Sequence, residues 1–277
     1  MSDFAQPSDI ITGLAGAGNG GPGCRQFGSK ASITTVANFF YSGWTCAGTG
    51  GTGATPGAWA IPNAATTGCW VPTLVDVSAG TTNRLLYTSF TATNISNLIL
   101  VDRIGHMGGL SGTVTTAQTT GASMTTPIGS GRCQSTGSDV LWCLEWYTAT
   151  GSTAVTATVN YTNQSGASGK TTTLSLPASV PAYRVYPITV LAAGDTSIIT
   201  VDSITLSGTT GTVGSFGVTA YKILQNVCVP VANTSINSDW AGLAMPLVAP
   251  QVCFSTLQYT TAATYGIINY QIVVGTH

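Results

Sequence analysis

Across residues 154–162 the chain changes character at every position: Val155, Ala157, Val159 and Tyr161 alternate with Thr156, Thr158, Asn160 and Thr162. A period of two sorts these side chains onto opposite faces of an extended strand, one apolar and one wet, which a helix cannot do. The same texture recurs from Asn83 onward as short apolar or alternating runs parted by turn residues. It predicts strands at 85–91, 97–104, 140–147, 154–161, 171–176, 184–191, 198–206, 214–224, 252–259 and 267–274. Asn163, Gln164, Ser165 and Gly166 read as a hairpin turn between two of them. Val140, Trp142, Leu144 and Trp146 make one apolar face, with Cys143, Glu145 and Tyr147 behind it. Ile268, Tyr270, Ile272 and Val274 make another. With no helical pattern between these runs, the expectation is an all-β chain. Its architecture should be an antiparallel β-sandwich, jelly-roll-like, with a loop-rich N-terminal arm.

Threonine is the commonest residue and glycine, at 34, the next. Both favour strands and turns, because threonine is β-branched and glycine weakens a helix interior by about 1 kcal/mol. Residues 1–83 are Gly/Pro-rich, with runs such as 16–23 and 47–57, and form the expected arm and loops; residues 84–277 form the sandwich domain. Within the arm, Ser8 suits the cap of a short helix carrying Ile10, Ile11 and Leu14. Residues 32–44 fit either a helical stripe of Ile33, Val36, Phe39 and Phe40 or, through Thr34 and Thr35, a strand.

Only 6% of residues are charged, against about 25% in an ordinary soluble domain. With net charge −1 and no basic block, nothing draws the chain to nucleic acid or to an anionic membrane, and neither is expected as a partner. So few charges also leave little repulsion between copies, so neighbouring subunits are expected to cover much of the surface. The uncharged stretch 31–75 is broken by Gly, Pro, Asn and Thr, well short of the roughly 20 continuous apolar residues of a membrane span. Asp3 and Asp9 stand where a secretory signal carries positive charge, so synthesis and folding in the cytoplasm are expected.

Seven cysteines, Cys24, Cys46, Cys69, Cys133, Cys143, Cys228 and Cys253, leave at least one free or paired between chains if the rest bridge. Buried thiols and disulfide staples both stay open for them. No pair has Cys-x2-Cys spacing, and His106 and His277 stand apart from them, so no metal and no cofactor is expected. Nor is an enzyme. One Glu and eight Asp are a thin supply, no G-x-S-x-G presents a serine, and Asp76, Asp102, Asp139, Asp195 and Asp202 are carboxylate candidates only by default. Gly16, Gly18 and Gly21, and again Gly48, Gly50 and Gly53, spell G-x-G-x-x-G without the strand and helix that phosphate binding needs. Sequons at Asn94, Asn160, Asn163 and Asn233 would matter only in a secreted chain, and Trp142 and Trp146 within one strand read as core packing.

The densest feature is residues 98–120, where an apolar strand delivers Asp102, Arg103 and His106 into a glycine-bearing loop at 105–112. It reads as an Asp–Arg pair fixing the loop exit with His106 as partner, or as a subunit contact, since glycine lets backbones approach closely. Residues 100–120 (LVDRIGHMGGLSGTVTTAQTT), with 80–93 (GTTNRLLYTSFTAT), 159–172 (VNYTNQSGASGKTT) and 190–222, resemble structural proteins encoded in tailed-bacteriophage genomes. The likeness runs from about residue 34 onward. It implies a virion component assembled in the host cytoplasm: a capsid decoration or cement protein, partnered by the major capsid protein or other virion proteins and by itself, often as a trimer. It carries over no catalytic residue. A tail or fibre component is the alternative within a virion, and a carbohydrate-binding β-sandwich module the alternative outside one. Subunit contacts are then expected at Phe39, Phe40, Tyr41 and Trp44 and around Asp102, Arg103 and His106. On the same implication the cysteines would form disulfide staples once a particle leaves the reducing cytoplasm.

Overall fold

The computed structural model describes residues 8, 10, 23–63, 65–72, 74 and 82–276. Asp76, His277, the Gly16–Gly18–Gly21 pattern and most of the helix expected from Ser8 lie outside them. The described chain is all-β and antiparallel. One sheet runs in the order β1 (Gly23–Lys30), β14 (Ile268–Thr276), β3 (Asn83–Ala92), β12 (Ile236–Ser238). A second runs β5 (Gln118–Ser123), β10 (Ile198–Leu206), β7 (Val155–Asn163), β8 (Lys170–Leu176). A central sheet of six runs β2 (Phe39–Ser42), β13 (Phe254–Thr260), β4 (Ser96–Ser111), β11 (Ser215–Val229), β6 (Val140–Thr148), β9 (Val185–Pro187).

The length of two strands sets the layering. β4 has 16 residues and β11 has 15, enough to run past both smaller sheets. At one end Ile104, Met107, Phe216, Val218 and Ala220 pack with Trp142 and Trp146 against Ala157, Val159, Tyr161, Val201 and Ile204. At the other end Leu98, Leu100, Leu224 and Val227 pack against Leu85, Phe90, Ile268, Ile272 and Val274. Two apolar cores thus share one central layer, a sandwich consistent with a jelly-roll-type fold.

The alternation that opened the sequence argument is β7, buried at every odd position from Val155 to Asn163 and half-buried between. It pairs with β8 across the expected hairpin, and Gly166 takes the left-handed backbone (φ +79°) that the turn requires. The expected loop at 105–112 is instead strand, since β4 continues to Ser111. Its glycines serve packing: a Cβ on Gly105 would run into the Trp59 ring, and one on Gly108 into the Pro56 carbonyl. The segment that needs this room lies across β4, where the Ala60 N–H donates to the His106 carbonyl at 2.9 Å and the His106 N–H to that of Ala60 at 3.0 Å. The ambiguous stretch 32–44 ends as strand β2 and a single 3-10 turn, Gly43–Thr45, whose Trp44 N–H donates to Ser42 Oγ at 3.2 Å.

Of the seven cysteines, Cys69 and Cys253 are bridged, with Cα atoms 5.7 Å apart and a sequence separation of 184. Cys46, Cys133 and Cys143 are buried thiols, Cys24 is half-buried and Cys228 is exposed. Burial pushes Cys24 and Cys133 up to about 11 and Cys46 to about 12, so these stay protonated and unreactive.

Candidate functional site

Two features of this frame stand out chemically: charges sealed on the outer face of the central sheet, and a neighbouring area of the same face that has none. Arg103 comes from β4 and Glu145, the only glutamate of the chain, from β6; β11 between them supplies Thr219 and Tyr221. The Arg103 Nη2 and Nη1 atoms meet the Glu145 carboxylate at 2.7 and 3.2 Å. Nη1 also donates to the Tyr221 hydroxyl at 2.9 Å, and Thr219 Oγ1 donates to Glu145 Oε2 at 2.6 Å. Arg103 Nε donates to His106 Nδ1 at 2.9 Å, and the Trp44 ring covers the guanidinium at 4.2 Å. Arg103 and His106, three positions apart, share a face because Ile104 is an extra residue in the strand. Gly105 stands opposite Ala220 and Arg103 opposite Tyr221, which is a bulge.

The side chains of Arg103 and Glu145 are 0% and 1% exposed, so a substrate cannot reach them. Burial alone would raise the Glu145 pKa, yet the Arg103 charge and the hydrogen bonds of Arg103 and Thr219 hold it below the usual carboxylate value. Burial, and then the Arg103 charge, push His106 down to about 2. The unfolded chain therefore takes up a proton at His106 as pH falls below about 6.5, while the native chain resists until about 2. Stability contributed by neutral His106 is present above pH 6.5 and is lost as pH falls through that window, at up to about 1.4 kcal/mol per pH unit. Glu145 adds to the loss below pH 4.5. Urea titrations at pH 7.5, 5.5 and 4.5 should show this decline, and His106→Asn should flatten it between 6.5 and 5.

Asp102 and Arg103 are not partners, because consecutive strand residues point to opposite faces. Asp102 instead takes Arg132 in a two-pronged pair at 2.8 and 2.5 Å and accepts the Cys253 N–H at 2.8 Å. A further buried charge, Lys30, donates to the carbonyls of Cys46, Gly51 and Gly68 at 3.1, 3.0 and 2.9 Å and so ties down the glycine-rich stretch 46–68. Burial lowers its pKa to about 8. Neither Lys30 nor Glu145 was singled out by sequence, since what marks them is partners far along the chain.

The uncharged feature lies on the same outer face, beyond the reach of Trp44. By strand register, Phe40, Tyr259, Leu257, Ile99, Val101, Ile223, Tyr221 and Leu141 point that way, and Val101, Cys143, Val185, Tyr221 and Leu257 pack with Phe40, Ile99 and Leu141 into one cluster. Phe40, Ile99, Leu141 and Tyr259 are half-exposed, Ile223 is 48% exposed, and Asn97, Asn226 and Cys228 extend the face. The Asp139–Lys222 ion pair (3.4 Å) stands at its rim, beside an open groove of about 350 Å³ lined by Val140, Leu141 and Ile223.

Tyr41, Trp44, Asp102, Arg103 and His106 are buried within the chain, and Phe39 and Phe40 are half-buried, Phe39 under the Arg184 guanidinium at 3.2 Å. The default carboxylates are not brought together: Asp139 pairs with Lys222, Asp195 is held by Asn163 and Tyr161, and Asp202 by Thr162 and Thr200. Another open groove, of about 530 Å³ between β7 and β8, is lined by Ala154, Val155, Thr156, Ser175, Leu176, Pro177 and Ser207, none of them titratable at neutral pH. Among the described residues no group of three His, Cys, Asp or Glu is placed to hold a metal, and no helix is long and apolar enough to cross a membrane.

No protein-family model and no curated protein matches this sequence. Solved structures that resemble it include infectious bursal disease virus of the Gt strain, at 8% identity and a TM-score of 0.23, covering 92% of this chain and 81% of that one. The VP2 subviral particle of the same virus is similar at 9% identity and a TM-score of 0.19, covering 96% and 85%. The Gx strain gives 7% identity and a TM-score of 0.19, covering 92% and 79%. Superpositions this loose carry no argument about role.

Proposed function

We propose that this chain is a structural component of a virus particle, most specifically a decoration or cement protein of a tailed-phage capsid, which adheres to neighbouring subunits through the outer face of its central sheet. The observation that carries the reading is that face: half-exposed Phe40, Ile99, Leu141, Ile223 and Tyr259 on one rigid sheet, where Arg103 and Glu145, the charges beside it on the same face, are sealed under Trp44. A chain with 6% charged residues that still leaves such a patch open is built to be covered, and covering it buries no charge. The likeness of residues 80–93, 100–120, 159–172 and 190–222 to phage structural proteins points the same way. A carbohydrate platform is less favoured: Trp44, Trp59, Trp70, Trp142 and Trp146 pack on other side chains, and Trp240, at 39%, is the tryptophan left exposed.

Ile223→Lys places a charge on the face, near its Asp139–Lys222 rim, without entering either core. Its stability should stay within about 0.5 kcal/mol of the parent. Its incorporation into particles, read by quantitative mass spectrometry of purified virions, should fall at least tenfold. Undiminished incorporation at unchanged copy number would refute the assigned face.

A further inference from the structure

Strand β1 is, among the described residues, the open edge of its sheet. Among the described residues the strand that pairs with it is β14, and its other side is engaged at one end alone. There the Ser29 N–H donates to Thr49 Oγ1 at 3.0 Å, the Ser29 carbonyl accepts from the Thr49 N–H at 2.8 Å, and the Ala31 N–H donates to the Ala47 carbonyl at 2.8 Å. Backbone groups alternate direction along a strand, so if Ser29 and Ala31 point away from β14, Arg25 and Phe27 do too. The Phe27 carbonyl meets the Gln26 side-chain amide at 2.6 Å, a contact that a rotation releases. Phe27 is 67% exposed and Arg25 is exposed beside it. Of the usual edge protections it carries the one charge of Arg25 but no proline and no bulge, since its register against β14 runs unbroken from Gly23 to Lys30.

We infer that two copies of the chain pair antiparallel through β1, with the two-fold axis at Gln26. The geometry selects this register. Setting Arg25 against the partner's Arg25 opposes like charges. Setting Phe27 against the partner's Phe27 brings Arg25 to the partner's Ser29, whose groups Thr49 already holds, and leaves the Phe27 pair alone free. An axis at Gln26 leaves two free pairs and brings only Gly23, the first residue of the strand, to the partner's Ser29. With the axis at Gln26, Arg25 lies across from the partner's Phe27 and Phe27 across from the partner's Arg25. Each pair exchanges two backbone hydrogen bonds, and the guanidinium lies over the ring on the exposed side. The contact is self-complementary and joins two four-stranded sheets into one of eight. It uses an edge distinct from the outer face assigned above and does not rest on the virion reading.

Sedimentation equilibrium on the whole chain should show reversible association from 28.1 kDa to twice that mass. Phe27→Pro deletes an outward N–H and leaves the β14 ladder intact, so dimer affinity should drop at least tenfold with little change in thermal midpoint. In a Cys228→Ser background, Gln26→Cys sets identical thiols opposite each other at a non-hydrogen-bonded site, about 4.5 Å between Cα atoms, and oxidised glutathione should link them into a covalent dimer. Arg25→Cys, displaced along the strand from its own copy, should not link. A chain that stays monomeric at every concentration, a dimer indifferent to Phe27→Pro, or equal cross-linking at positions 25 and 26 would each overturn the pairing.

Discussion

Glu145→Gln should cost about 3–5 kcal/mol of folding stability, because it leaves the Arg103 guanidinium, 0% exposed, without a counter-charge. A domain of this kind has about 5–15 kcal/mol in all, so the variant should be folded only weakly at room temperature. The loss comes from the stranded charge more than from any large net worth of the pair, and that distinction is testable. Arg103→Met combined with Glu145→Leu removes both charges and should recover more than half of the deficit in a urea titration. If the double substitution is as unstable as the single one, the hydrogen bonds to Thr219, Tyr221 and His106 matter more than charge balance.

Removing the Cys69–Cys253 bridge should be of similar size. It closes a separation of 184 residues, and constraining an unfolded chain over that length is worth about 5 kcal/mol in the chain-entropy account, with measured values of about 2–5. The bridge also holds Cys253, whose N–H is donated to Asp102, next to the Asp102–Arg132 pair. Cys69→Ser with Cys253→Ser should therefore unfold at markedly lower urea than the parent under non-reducing conditions, and the two should coincide after full reduction. A parent that shows no free-energy difference with and without reductant would mean that the bridge does not form.

The fold could be read wherever side-chain alternation was uninterrupted. β7, β8, β10 and β6 were all predicted from their patterns, and the face of Trp142, Leu144 and Trp146 is the core face. Sequence failed where glycine or polar residues mask the alternation. β1, with the sequence GCRQFGSK, does not read as a strand because Gly23 and Gly28 interrupt it and its exposed positions hold Arg25 and Phe27. Glycines 105 and 108 likewise suggest a loop where they admit Trp59 and Pro56 onto a strand. The charged network was illegible for a different reason. Adjacency made Asp102 and Arg103 look like a pair, but their partners, Arg132 and Glu145, lie 30 and 42 positions away. His106 joins Arg103 only because one bulged residue resets the alternation, and spacing alone gives no sign of a bulge.

The sheet order also governs how such a chain is made. β1 has its intramolecular partner in β14 and β2 in β13, so the opening strands are zipped to the closing ones. During synthesis a ribosome would release the first strands long before their mates exist, and the nascent chain must keep an unprotected edge from pairing with other newly made copies. Folding of this kind waits until β14 has emerged, is slowed by the long loops it must close, and should depend steeply on how crowded the polysome is with the same product.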